Sequence, residues 1–284
     1  MNFMNLPQKY AGKNSYNYIL PVEYEGNMTG DKGAKHGSAA IIKSSYQLEY
    51  YDEFTGTESY EKGIRLLNPL KLTSKKPETA IASIAKSVSK IKDKFLVTLG
   101  GDHSVTIGAL KGMEKNHEDF SVILFDAHAD LFDSWNGSKY NHRCVSKYAS
   151  YNHEVLIIGI RSLDRDEAET ISNKDHINAI PAFGGHRKNL LHFLSRLKHK
   201  VYVSIDVDVF DPSLIRTTGT PEPGGLFWNE MLEYLKVIFD TKEVLACDIV
   251  EHSPKKTFAH ESYFLGKLLY KLLGLKNSKS INHS

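Results

Sequence analysis

Short apolar runs rich in β-branched residues alternate along the chain with longer stretches whose apolar positions recur about every 3.6 residues. The short runs predict strands at Tyr18–Val22, Phe95–Leu99, Val122–Phe125, Val155–Ile160, Ile177–Ile180, Val201–Ile205 and Val244–Asp248. The longer ones predict helices at Ala80–Ile91, Val105–Met113, Asp164–Ile171, Leu190–Leu197, Asn229–Phe239 and Ser262–Leu273. Parallel strands need crossover helices, and these cover both faces of a sheet. The expected fold class is therefore α/β, with three α/β/α layers around a central, mostly parallel sheet. No repeat, linker or composition break divides the sequence, so residues 1–284 read as one domain with an N-terminal extension at 1–15. The glycine-rich stretch Gly26–His36 reads as a loop and the polar tail Lys276–Ser284 as a frayed end.

Composition limits the partners. The 284 residues hold 36 Lys plus Arg against 34 Asp plus Glu, a formal charge of +2 that offers no bulk attraction for nucleic acid. With 41% hydrophobic and 25% charged residues the chain can bury a core, which excludes global disorder. No apolar run approaches the roughly 20 residues that span a bilayer, and the first ten residues lack a signal-peptide core. A cytoplasmic protein with no membrane partner is expected. The two cysteines, Cys144 and Cys247, suggest neither a disulfide framework nor a thiolate metal site, and read as packing residues. The tyrosines from Tyr46 to Tyr51 read as surface or subunit-contact aromatics.

The informative feature is histidine beside aspartate, at the ends of predicted strands. Gly100-Gly101-Asp102-His103-Ser104 follows the strand ending at Leu99, Asp126-Ala127-His128-Ala129-Asp130 follows Phe125, and Asp206-Val207-Asp208 follows Ile205. Ligands of open parallel sheets bind beyond the carboxyl ends of the strands, so three such ends can share one crevice. In extended backbone, residues two apart face the same side, which aims Asp126, His128 and Asp130 together, and Asp206 with Asp208. His103 can join them. Taken alone, an Asp-x-Asp after a strand is as well explained by a turn or a helix cap. Together, four carboxylates and two imidazoles cannot be buried without counter-charge. Without a thiolate the set suits hard to borderline divalent ions such as Mn²⁺, and six ligands exceed what one tetrahedral zinc uses. Two ions sharing carboxylates is the economical reading.

In this order, these three segments, the last extended to Ser204-Ile205-Asp206-Val207-Asp208-Val209-Phe210-Asp211-Pro212, closely resemble the signatures of the ureohydrolases, the arginase and agmatinase family. Gly219-Thr220-Pro221-Glu222-Pro223-Gly224-Gly225-Leu226 and Asp248-Ile249-Val250-Glu251 resemble two further family stretches, and the likeness runs from about Pro21 to Leu273. It implies an arginase-like fold and two Mn²⁺ ions per subunit. One would be held by His103, Asp126, Asp130 and Asp206, the other by His128, Asp126, Asp206 and Asp208, with Asp126 and Asp206 bridging. The family's nucleophile is a hydroxide shared by both ions. The resemblance further implies that Glu251 binds the guanidinium, that Asp130 moves a proton to the leaving amine, and that His142 binds substrate or shuttles protons. Thr220, in the Gly-Thr-Pro-Glu stretch, is a candidate substrate contact. A homo-trimer or homo-hexamer is also implied.

Within that family the sequence leans toward agmatine, cleaved to putrescine and urea. Phe132 stands where arginases carry an Asn that contacts the substrate carboxylate, and Gly137-Ser138-Lys139-Tyr140-Asn141-His142 looks like the agmatinase loop. Arg143, Arg216 and His252 depart from the family pattern. The two arginines could clamp a carboxylate and restore arginine or a guanidino acid such as 4-guanidinobutyrate as substrate, or all three residues could simply be solvated or paired with Asp133 or Glu222. The alternatives are an arginase or guanidino-acid hydrolase, a single-zinc amidohydrolase of the related deacetylase fold, and a non-catalytic metal-binding relative. His103 and Asp130 speak against the second, and the intact ligand set against the third.

Overall fold

The computed structural model describes residues 2–26, 30, 32–183 and 187–278. Among the described residues nine strands form one sheet: β1 (Asn17–Glu23), β2 (Ile64–Leu66), β3 (Leu70–Lys71), β4 (Phe95–Leu99), β5 (Ser121–Phe125), β6 (Val155–Ile160), β7 (Ile177–Pro181), β8 (Lys200–Asp206) and β9 (Glu243–Val250). Their order is β2-β1-β4-β9-β8-β5-β6-β7, with β3 also on β1, and the pairings are parallel. The helices are α1 (Gly37–Ser44), α2 (Pro77–Val88), α3 (Ser104–Met113), α4 (Val145–Ala149), α5 (Arg165–Asn173), α6 (Arg187–Arg196), α7 (Trp228–Thr241) and α8 (Ala259–Ser278).

The central strands are buried on both faces, and their side chains divide with the period of two that a pleated backbone imposes. Phe95, Val97 and Leu99 of β4, with Ile123 and Phe125 of β5, join one core with Ile41 of α1, Leu194 of α6, Leu235 of α7 and Leu268 of α8. Leu96, Val122 and Leu124 join the opposite core with Ile84 of α2, Leu110 of α3 and Ala149 of α4. This is the expected three-layer α/β/α arrangement.

Two short edge strands, β2 and β3, and two short helices, α1 and α4, escaped the periodicity reading; with two to eight residues each they span too little chain to show a period. The first residues are built into the fold, with Phe3, Met4 and Leu6 buried in the α8-side core. The expected frayed tail is corrected in part. Residues 276–278 belong to α8, Asn277 is buried, and Lys276 Nζ donates to Val244 O at 2.7 Å, while 279–284 lie outside the described residues. Of the expected loop Gly26–His36, residues 27–29 and 31 also lie outside them, and Ala34–His36 forms a 3-10 turn into α1.

The sheet order decides where chemistry can gather. β4, β9, β8 and β5 are consecutive neighbours, so the segments that leave their carboxyl ends emerge side by side. Among the described residues no helix is long and apolar enough to cross a membrane.

Candidate metal centre and substrate cleft

His103, the last residue of the β4–α3 turn, meets the other segments through Nδ1. That atom lies 3.1 Å from Asp126 Oδ2, 3.2 Å from Asp130 Oδ2 and 3.2 Å from Asp206 Oδ2. His128 Nδ1 lies 2.9 Å from Asp208 Oδ2 and 3.6 Å from Asp126 Oδ1. Two sets of ligand atoms, from His103, Asp126 and Asp206 and from Asp126, His128 and Asp208, each fall within 4.8 Å of one another, with Asp126 common to both. All six expected ligands thus meet. Asp130 approaches through His103, and Asp206 falls within the first set only.

The route to this convergence differs from simple strand alternation. Asp206 ends β8 in extended backbone, but Val207–Val209 is a 3-10 turn, and Asp208 is aimed by its own N–H donating to Asp206 Oδ1 at 2.9 Å. Asp126 Oδ1 accepts the His128 N–H at 2.7 Å, and Asp130 adopts a left-handed φ of 51°. Glu251 does the same at φ 67°, which turns its side chain off the end of β9 into the cluster, where it accepts the His103 N–H at 2.6 Å. Left-handed backbone disfavours side chains with a Cβ and collects at functional sites.

Electrostatics show what the cluster lacks. Burial and the neighbouring Asp126 charge push Asp130 up to about 7. Burial and Asp208 push Asp206 well above the carboxylate range, and burial with Asp206 and Asp102 does the same to Glu251. Burial opposes charge on His128, yet hydrogen bonds to Asp126 and Asp208 raise it to about 12. His103 Nδ1 and Asp126 Oδ2 are buried and face each other without a hydrogen bond. Orphaned buried polar atoms inside a ring of crowded carboxylates are the signature of a cation site, and N and O donors without sulfur fit divalent ions of the Mn²⁺ kind.

A cleft of about 270 Å³ opens onto this centre. His142, Thr220 and Glu251 line it with His103, His128 and Asp130, so the expected substrate residues share the cleft with the cluster. Burial and the positive fields of His103 and Arg143 depress His142 to about 4, leaving it neutral. Sequence reading did not single out Ser162, Leu163, Asp164 or Glu167 of the same cleft; their one signal was position, just past the carboxyl end of β6.

The three departures from pattern find partners other than those expected. Arg143 lies over the rings of Phe132 and Trp135, 4.3 and 4.1 Å from their centroids, with Asp164 at 3.7 Å. Arg216 lies over Phe258 and pairs with buried Glu261 at 3.7 Å, not with Asp133 or Glu222. His252 is buried between Thr217 Oγ1 at 3.2 Å and Ser262 Oγ at 2.8 Å. Cys144 and Cys247 are free and buried, as packing residues should be.

Comparisons agree with this geometry. A family model described as the arginase family matches residues 17–274. An N(1)-aminopropylagmatine ureohydrolase of Synechocystis sp. is 34% identical over 271 residues, covering 90% of this chain and 87% of its own. An agmatinase of Pyrococcus horikoshii is 33% identical over 261 residues, 90% of each chain. The crystal structure of the agmatine ureohydrolase of Thermoplasma volcanium superposes with a TM-score of 0.86 at 26% identity, covering 95% of this chain and 93% of that one.

Proposed function

This chain belongs to the arginase family, and we propose that it hydrolyses the guanidinium group of agmatine or of its N1-aminopropyl derivative, releasing urea and the free polyamine. It is a hydrolase of guanidino C–N bonds. The observation that carries the reading is the meeting of six His and Asp side chains with Glu251 at one cleft.

His103, Asp126, Asp130 and Asp206 would hold one divalent ion, and His128, Asp126, Asp206 and Asp208 a second, with Mn²⁺ as the proposed metal. Ions bound there supply a nucleophile at neutral pH and stabilise developing negative charge. The chain's own residues do the rest. Glu251, buried and fixed by the His103 N–H, presents carboxylate lone pairs to a guanidinium and holds its carbon over the cluster. Asp130 lies at the cleft floor, where its carboxyl oxygen can take a proton and return it to the leaving amine. Neutral His142 offers a ring nitrogen to the substrate or that proton, and Thr220 a hydroxyl. Arg216 is paired outside the cleft lining, and although Arg143, stacked on Phe132 and Trp135, does line the cleft, Asp164, Glu167 and Glu222 line it too, a balance that favours an amine over a carboxylate on the substrate chain. The proposal includes one domain, a cytoplasmic location in keeping with two free buried thiols, and three or six copies as the resemblance implies.

The test is urea release by Mn²⁺-loaded protein from agmatine, N1-aminopropylagmatine, arginine and 4-guanidinobutyrate. Higher kcat/KM for either amine is expected, and a preference for either acid would overturn the substrate assignment.

A further inference from the structure

Thr217, His252, Glu261 and Ser262 line no part of the cleft, yet all four are buried and meet behind it. They come from the segment leading into the cleft wall, from the residue after Glu251 and from the first turn of α8. Two departures from the family pattern converge here. His252 is a member of the group, and Arg216 meets Glu261 through its main-chain N–H at 3.2 Å and its guanidinium at 3.7 Å.

Donor accounting gives the network a direction. Glu261 Oε2 accepts the Thr217 hydroxyl and the Thr217 N–H, the latter at 2.9 Å. A carboxylate has no proton to return, so Thr217 Oγ1 meets His252 Nδ1, 3.2 Å away, as an acceptor. The neutral ring therefore carries its proton on Nδ1, and Nε2 is left to accept the Ser262 hydroxyl at 2.8 Å. Protons point one way along the line, from Ser262 to His252 to Thr217 to Glu261.

That line fastens two parts of the cleft to each other. Left-handed backbone at a residue with a Cβ persists only where its surroundings over-determine it. Glu251, at φ 67°, donates its N–H to Gly101 O at 2.8 Å. The residues after it are held to Thr217 twice, by the Ser253 N–H on Thr217 O at 2.7 Å and by His252 Nδ1 on Thr217 Oγ1. Helix α1 closes the other side, where a Cβ on Gly37 would stand 2.4 Å from His252 O. Thr217 in turn leads into Thr218, Gly219 and Thr220 of the wall, whose far end Arg161 staples by donating to Glu222 O at 2.8 Å and Pro223 O at 3.0 Å.

We propose that Thr217, His252 and Glu261 are positioning residues for the guanidinium: their one-way line of hydrogen bonds locks the backbone after Glu251 to the cleft wall and thereby sets how tightly Glu251 holds the substrate. The inference rests on the guanidino reading and deepens it. It also gives His252 and Arg216 a shared task, since both departures act through Glu261.

The experiment compares wild type with Thr217→Val, which keeps the shape and removes the hydroxyl, Thr217→Ser, which restores the hydroxyl, and Ser262→Ala at the far end of the line. In the Mn²⁺-loaded protein, T217V should raise KM for agmatine and the inhibition constant of guanidinium ion about tenfold each, with kcat within about threefold, as loss of ground-state binding requires. T217S should return both constants to within about twofold of wild type, and S262A should shift them in the direction of T217V by a smaller factor. Nitrogen-15 spectra of histidine-labelled, metal-free protein read the line without turnover, with the His252 signals identified by their loss in His252→Gln. Wild type should show the Nδ1–H tautomer and T217V the Nε2–H tautomer, because Nδ1 then faces a methyl group. A wild-type ring protonated on Nε2, or a T217V protein with unchanged KM and guanidinium inhibition beside active wild type, overturns this inference alone. A fall in kcat at constant KM overturns it as well, since the line would then act on the reacting atoms and not on the grip. Wild type that releases no urea from any guanidine overturns the functional reading and this inference with it.

Discussion

Replacing Asp248 with Asn tests how the candidate metal cluster is braced. Asp248 is fully buried near the end of β9 and accepts hydrogen bonds from Tyr202 Oη at 2.6 Å, Ser204 Oγ at 2.6 Å and Thr106 Oγ1 at 2.8 Å. Ser204 Oγ lies 3.1 Å from His103 Nε2, so the line from Asp248 through Ser204 orients the ring whose Nδ1 faces three carboxylates. In the variant an amide NH2 opposes at least one hydroxyl donor. Tyr202 Oη and Thr106 Oγ1 share Oδ2, so the amide oxygen keeps that side and the NH2 faces Ser204 Oγ, whose O–H is left with no acceptor better than Thr106 Oγ1 at 3.3 Å. One stranded buried donor costs about 1 to 3 kcal/mol, and weaker bonds to a neutral acceptor bring the total to about 2 to 4 kcal/mol. Urea denaturation in the presence of a chelator should show that loss as a lower midpoint at unchanged slope. Mn²⁺ affinity, measured by calorimetry, should fall about 10- to 100-fold, as it does when the hydrogen-bond partner behind a ligating histidine is disturbed. Unchanged stability would refute the accounting, and lost stability with full Mn²⁺ affinity would reduce the network to packing.

Asp126→Asn should abolish urea release and lower the Mn²⁺ bound per chain, measured by metal analysis, while circular dichroism stays native; full turnover in this variant would sink the shared-ligand assignment. Gly101→Ala should cost about 3 kcal/mol or more in the urea midpoint, because its Cβ would stand 1.6 Å from the Tyr24 carbonyl oxygen and only backbone movement could relieve it. Burial holds His252 near 4, below its ordinary 6.5, so the unfolded chain binds a proton that the folded one refuses. Stability carried by the neutral ring is complete above about pH 6.5 and declines as pH falls toward 4, by about 3 kcal/mol. Metal-free wild type should therefore lose stability over that window more steeply than His252→Gln, and parallel curves would show that His252 does not titrate there.

What could be read from the sequence follows from what each residue needs in order to be recognised. Buried strands such as β5 and β6 are nearly continuous apolar runs, visible without partners. The ligands were visible because their chemistry is improbable in combination: Asp126, His128 and Asp130 need a reason to be adjacent that an apolar core cannot give. The backbone detail was not visible. Alternation placed Asp208 beside Asp206, but a 3-10 turn and one N–H bond perform the aiming. Nor were long-range partners visible. Arg143 finds Asp164 and Arg216 finds Glu261, separations of 21 and 45 residues that only the folded chain closes. Arg161 is the sharpest case, since its hydrogen bonds go to main-chain carbonyls, which every sequence has and which no motif can mark.

The ligand segments leave β4, β5 and β8, and Glu251 leaves β9, yet β4 and β5 are not neighbours; β9 and β8 lie between them. The first two segments, close in sequence, are thus held apart by the width of two strands, and His103 and Asp126 can meet only because residues of the last third of the chain fill the gap. The site cannot be assembled from residues 95–130 alone. Its completion depends on the late strands pairing between the early ones, so a lesion in β8 or β9 far from any ligand should empty the metal centre as surely as the loss of a ligand. Tyr202→Phe, which removes one donor to Asp248 and leaves every ligand in place, is the mildest form of that lesion, and a measurable drop in Mn²⁺ affinity in this variant would show the coupling at work.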